Sequence, residues 1–218
     1  MRHILIILSL LLLFSSTFIS CSKSSDDGSS TTSTTSDNDT TNDDDTTTTD
    51  NTTPYFVSVG TSGSIFTSSY GTKWTDRTTV TSNSLYGITY GNDTFVTVGG
   101  RPDNNWGPYI LTSSDGITWT LRDSGSHSEG FMRGVTYGNG TFVTVGTGGY
   151  IYTSSDNGTN WTSNTVTSGF SSTHHKGVTF GNNTFVTVGN QGRIYTSSDN
   201  GTNWTEVDPK SRTVSLMS

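Results

Sequence analysis

Apolar residues are distributed along this chain in three ways. Residues 4–14, "ILIILSLLLLF", form one apolar run interrupted only by Ser9. Residues 22–53 contain no aliphatic or aromatic residue at all. From Tyr55 onward apolar residues come in short bursts bounded by Gly, Asn, Asp and Ser. Within a burst such as "TFVTVG", Phe142 and Thr144 alternate with Val143 and Val145, the period-2 pattern of a strand buried unequally on its two faces. No useful stretch after residue 20 repeats apolar residues at helical spacing, so the folded part is predicted to be all-β.

The bursts recur. Three copies begin "LYGITYGNDTFVTVG", "MRGVTYGNGTFVTVG" and "HKGVTFGNNTFVTVG" and continue "YILTSSDGITW", "YIYTSSDNGTNW" and "RIYTSSDNGTNW". An earlier copy lacks the opening third and reads "YFVSVG…SIFTSSYGTKW". The closing tryptophans, Trp74, Trp119, Trp161 and Trp204, are 45, 42 and 43 residues apart. A period of about 40 to 45 residues made of short strands indicates propeller blades. Each unit divides into four strands; in the third unit these are 135–137, 141–145, 150–154 and 161–166, the first two joined by an Asn-Gly turn that accepts positive φ at low cost. The expectation is a small β-propeller of about four blades over residues 54–218. The tail "RTVSLMS" (residues 212–218) would supply the inner strand missing from the first blade and close the ring. The competing arrangement is an open arc, completed by a second chain in a homo-oligomer.

The phrase closing each unit carries a resemblance. Ser154, Asp156, Gly158 and Trp161, and again Ser197, Asp199, Gly201 and Trp204, resemble the Asp-box, or BNR, repeat of sialidases, sortilin-type receptors and the photosystem assembly factor family. Ser113, Asp115, Gly116 and Trp119 form a version one residue shorter, and the first unit has Tyr70 in place of the Asp. An Asp in a tight turn accepts bonds from nearby backbone N–H groups, Gly takes a φ that side chains resist, and Trp buries a large ring between sheets. The same Asp recurs at three of the four blade corners, and no single active site needs it on several sides of a ring. These residues are therefore read as structural, and no catalytic residue is assigned.

The amino-terminal pattern adds a location. Residues 1–20, with Arg2 before the apolar run, have the layout of a secretory signal and are too short to span a bilayer. Phe18-Ile19-Ser20-Cys21 resembles the lipobox of bacterial lipoproteins. Cys21 is the only cysteine, so it has no disulfide partner within the chain, and lipidation gives an exported thiol a purpose. The resemblance implies a lipid-anchored protein of the bacterial cell envelope, on the outer membrane or cell surface, with a Ser/Thr/Asp linker of low hydrophobicity through residue 53. That linker holds eight Asp and one Lys, which accounts for the net charge of −7; residues 54–218 carry nine Lys or Arg against ten Asp or Glu. A near-neutral folded part gives no basic footprint for nucleic acid.

Where the copies diverge, repetition has been relaxed. The turns between the first and second strands are uniform. The second-to-third turns and the links between blades, which share the opposite face, differ, and one expands to "GGRPDNNWGP". On that face fall Arg101, Asp103, Trp106, Arg122, His127, Glu129, Arg133, Phe170, His174 and His175, the candidate binding residues; loops on a rigid scaffold commonly bind. Adjacent His174 and His175 point opposite ways on an extended chain and make no metal pair. There is no phosphate loop, nucleophile elbow or zinc spacing, hence no expected metal or cofactor. The six Arg of the folded part show no arrangement like a sialidase triad, and outside the boxes no two carboxylates are spaced for glycoside cleavage. The expected function is a non-catalytic propeller binding a protein or glycan partner, with a sialidase- or glycoside hydrolase-type enzyme as the alternative.

Overall fold

The computed structural model describes residues 20–23, 56–77, 80–100, 108–122, 130–165 and 174–207. They form four four-stranded antiparallel sheets, each a meander whose strands pair with their sequence neighbours. Blade 1 contains β1 (Ser20–Lys23), β2 (Phe56–Val59), β3 (Ile65–Ser68) and β4 (Thr75–Arg77). Blade 2 contains β5 (Ser84–Gly91), β6 (Thr94–Gly100), β7 (Pro108–Ser113) and β8 (Thr120–Arg122). Blade 3 contains β9 (Met132–Gly138), β10 (Thr141–Gly146), β11 (Tyr150–Ser154) and β12 (Thr162–Thr165). Blade 4 contains β13 (His175–Gly181), β14 (Thr184–Gly189), β15 (Ile194–Ser197) and β16 (Thr205–Val207).

The blades pack face to face, and each junction has its own apolar cluster. Val57, Val59 and Ile65 of blade 1 meet Leu85, Phe95, Leu111 and Trp119 of blade 2. Val96, Val98 and Ile110 meet Met132, Phe142, Tyr152 and Trp161 at the next junction. Val143, Val145 and Ile151 then meet Phe185, with Phe180 and Trp204 against them. Aliphatic residues thus leave one blade and are received on the next by a set that includes at least one aromatic ring. The inner strands touch backbone to backbone: a Cβ on Gly87 would lie 3.1 Å from the Arg133 carbonyl oxygen, and one on Gly134 would lie 3.1 Å from the Cα of Gly177.

Ring closure departs from the sequence expectation. The position beside Phe56–Val59 is taken by β1, with Ser20 opposite Val59 and Lys23 opposite Phe56. Residues 212–218, expected there, lie outside the described residues, as do residues 1–19 and 24–55. The segment read as the end of a leader and the start of a linker therefore supplies the missing inner strand. Its polar composition hid it from a search for apolar alternation. Among the described residues the blades form an open arc: packed strand contacts run from blade 1 to blade 4, and no strand of the fourth sheet packs on one of the first as neighbouring blades do. Burial agrees. Strands β6 and β10 of the middle blades are buried on both faces, whereas β2 and β14 alternate between buried and more exposed positions.

Candidate functional site

One face of the arc carries the box turns, and its hydrogen bonds are those of a folded corner. In blade 3 the Ser154 hydroxyl donates to Asp156 Oδ1 (2.8 Å) and accepts from the Gly158 N–H (2.9 Å). The Asn160 backbone and side chain donate to the two carboxylate oxygens of Asp156, and Trp161 Nε1 donates to the Gly158 carbonyl. Ser197, Asp199, Gly201, Asn203 and Trp204 repeat the set in blade 4. In the shorter turn Asp115 accepts from Ser113, Ile117 and Thr118, and Trp119 Nε1 donates to the Gly116 carbonyl. Blade 1, with Tyr70, retains the Ser68–Gly71 and Trp74–Gly71 bonds.

These donors favour the charged carboxylate. The Asn203 backbone N–H, the Ser197 hydroxyl and the Asn203 amide hold Asp199 down at about 2. The Asn160 N–H leads the same downward shift at Asp156. Burial pushes Asp115 up, and the Thr118 and Ile117 N–H groups with the Ser113 hydroxyl outweigh it. Carboxyls held this low are poor general acids near neutrality. Gly158 (φ +76°) and Gly201 (φ +82°) also dock on the preceding blade: a Cβ on either would lie 2.8 Å from a threonine methyl, of Thr112 or Thr153 respectively. Asn157 and Asn200 accept from the side-chain amides of Asn92 and Asn139, which latches each box to the previous blade's turn.

The opposite face holds the second-to-third turns and the inter-blade links. Of the residues assigned to it from sequence, Arg101, Asp103, Trp106, His127, Glu129 and Phe170 lie outside the described residues. Arg122 is described, and its Nε donates to Thr112 Oγ1 (2.7 Å). Arg77 makes the same bond to Thr67 and Asn164 an equivalent one to Thr153, so Arg122 clamps an edge strand in a position repeated by three blades. His174 accepts the Gly148 N–H on Nδ1 (3.2 Å) and ties blade 4 to a turn of blade 3.

His175 corrects its sequence assignment: it is fully buried. It stands where blades 2 and 3 have Leu85 and Met132, at the start of the inner strand, edge-on to the Tyr195 ring at 5.4 Å. Its Nδ1 lies 3.2 Å from Thr187 Oγ1, whose single proton is donated to the Gly177 carbonyl (2.9 Å). The imidazole must then carry its proton on Nδ1, which leaves Nε2 a buried acceptor with no partner. Burial, with His174 beside it, pushes its pKa down to about 4.

What this face presents at its centre is a row of bulge residues. In blades 2, 3 and 4 the pairing of the inner strand with its neighbour skips one residue, and the skipped residues are Tyr86, Arg133 and Lys176. A bulge re-aims its side chain out of the ladder. The Arg133 guanidinium carbon lies 5.8 Å from the Tyr86 ring centre, within cation–π range, and Arg133 Nε is buried with no hydrogen-bond partner. Lys176 is exposed. Among the described residues the ion pair is elsewhere, between Arg193 and Glu206. Sequence reasoning placed Arg133 on this face and missed Tyr86 and Lys176. The signal was there: in "LYG", "MRG" and "HKG" the residue before the first glycine changes from aromatic to cationic while the rest of the strand barely varies.

Four-stranded meanders packed face against face around a set of inner strands define a β-propeller, here an open one. The comparisons agree. Residues 113–218 match the family model of the DUF6242 beta propeller domain. Among solved structures the chain is similar to YCF48 bound to D1 peptide, with 23% identity, a TM-score of 0.54, and 73% of this chain and 50% of that chain covered. It is also similar to YCF48 from Cyanidioschyzon merolae, with 19% identity, a TM-score of 0.53 and coverages of 72% and 53%. An ancestral GH74 enzyme gives 18% identity, a TM-score of 0.56 and coverages of 73% and 23%. At these identities the likeness is one of fold. The chain spans about half the length of the YCF48 chains it matches. No curated protein matches the sequence.

Proposed function

We propose that this protein is a lipid-anchored envelope protein whose propeller binds an acidic group of a protein or glycan partner without chemical turnover. The observation that carries the reading is the row Tyr86, Arg133 and Lys176, which lines up two cations and an aromatic ring on the inner-strand bulges of three successive blades. The Arg133 guanidinium, set against the Tyr86 ring, is suited to meet a carboxylate or sulfate with its terminal N–H groups. The YCF48 structure that is similar in fold holds a peptide, which supports a propeller of this build serving as a recognition surface. The box carboxylates, bonded into turns and held ionised, favour binding over hydrolysis.

The test uses the full-length chain in mild detergent, offered to envelope extracts and to a glycan array, beside Arg133→Ala/Lys176→Ala. Retention of a partner by the wild type, reduced at least tenfold in the double variant at unchanged melting temperature, is the expected result. Equal retention by both proteins removes the bulge row as the site, and release of cleaved glycan transfers the protein to the enzyme reading. Anchoring is checked separately: Cys21→Ser abolishes incorporation of labelled palmitate.

A further inference from the structure

The two ends of the arc are the two halves of an interface that the chain already makes three times. On the leading face Val98 and Val145 are wholly buried by the next blade, and the equivalent Val188 of blade 4 is 47% exposed. On the receiving face Leu111, Tyr152 and Tyr195 are at most 1% exposed, and the equivalent Phe66 of blade 1 is 37% exposed. Trp74 is likewise 42% exposed where Trp119 and Trp161 are buried.

Blade 4 also carries empty seats. A Cβ on Gly91 would lie 2.2 Å from the Tyr137 ring, and one on Gly138 would lie 2.1 Å from the Phe180 ring, because each glycine receives the aromatic residue of the following inner strand. Gly181 and Gly177, their counterparts and those of Gly134 in blade 4, have nothing within 4 Å among the described residues. Repeat arrays that end in solvent cap the last unit with polar residues. Blade 4 instead keeps Val186, Val188 and Ile194 where blade 3 has Val143, Val145 and Ile151.

We infer that the leading face of blade 4 docks on the receiving face of blade 1 of a second copy, and that two copies close head to tail into one eight-bladed ring. The inner strand available to cover Gly177 and Gly181 is β1 of that copy. Its Lys23 pairs with Phe56 in the register by which Tyr137 pairs with Phe142 and Phe180 with Phe185. Among the described residues the closely packed inner strands run β1–β5–β9–β13, and β13 and β1 are not packed on each other as the others are. A head-to-tail contact closes only when its rotation matches the copy number, which makes the mass of the assembly the quantity to measure.

The test is the mass of the full-length chain by native mass spectrometry in mild detergent, with Val188→Asp and Phe66→Asp as variants. Both residues are exposed within one copy, so each variant folds. The wild type is expected at twice the chain mass, each variant at the single mass with an unchanged circular dichroism spectrum, and an equimolar mixture of the two variants partly back at the double mass, because one of its two junctions is intact. A wild type at the single mass overturns the inference and leaves closure within one chain or a bare arc. A ladder of higher masses overturns it in favour of an open filament.

Discussion

His175 is expected to make the protein acid-sensitive well above the range in which its carboxylates titrate. The imidazole is buried at a position where blades 2 and 3 have Leu85 and Met132, and its pKa of about 4 lies below the unfolded value of 6.5. A group whose folded pKa is depressed in this way binds its proton in the unfolded chain first. Stability is therefore full above about pH 6.5, falls as the pH drops toward 4, and levels off below that. The proton linkage amounts to about 2 kcal/mol at pH 5 and about 3 kcal/mol at pH 4. His175→Leu removes the titration and the unpartnered Nε2 while losing the bond to Thr187. The variant should lie within about 1 kcal/mol of wild type at pH 7.5 and exceed it by about 3 kcal/mol at pH 4. Urea unfolding followed by tryptophan fluorescence, repeated from pH 7.5 to 4, measures the gap. The box carboxylates do not confound it: Asp199, held at about 2, loses its contribution only as the pH falls below about 4, and it does so in both proteins. Parallel curves for the two proteins across this window would refute the reasoning, because a solvated histidine gives no such divergence.

Two further outcomes test the fold. Gly201→Ala places a methyl at φ +82° and 2.8 Å from a methyl of Thr153, and should lower stability by about 1 to 3 kcal/mol, read from the urea midpoint; Gly140→Ala, at φ +75° with nothing within 4 Å, separates the backbone part of that cost from the packing part. Ser58→Cys should form a disulfide with Cys21 in the unlipidated chain, because the two are directly paired across β1 and β2 at a separation that a disulfide spans; two free thiols by Ellman titration after mild oxidation would show that residues 20–23 are not the inner strand.

The four-blade architecture was legible because each unit repeats both its apolar alternation and its turn chemistry. The Asn-Gly and Asp-x-Gly corners of the sequence are the positions at which Asn139, Gly140, Asn157, Gly158, Asn200 and Gly201 take positive φ. The inner strand of blade 1 was illegible, since Ser20–Lys23 has neither alternation nor a turn before β2, and it is held by pairing across 32 intervening residues. At the site, loop divergence pointed to the correct face for Arg133 and misjudged His175. A histidine in a link looks solvent-exposed until its register against β14 shows that it takes the place of Leu85 and Met132. Tyr86 and Lys176 escaped because a bulge is a property of pairing and leaves no mark in one strand's own pattern.

The pairing of β1 with β2 changes what the acidic stretch between them can do. Residues 24–55 connect Lys23 to Phe56, which are paired on neighbouring strands of one blade. A lipid on Cys21 would then be fastened to the body of the propeller. Ser20 lies opposite Val59, at the end of the blade that opens onto the face bearing Tyr86, Arg133 and Lys176. Lengthening or shortening the Ser/Thr/Asp stretch would leave the propeller's height above the bilayer unchanged, and the bulge row would look toward the lipid headgroups. A partner would have to be reached in the plane of the membrane.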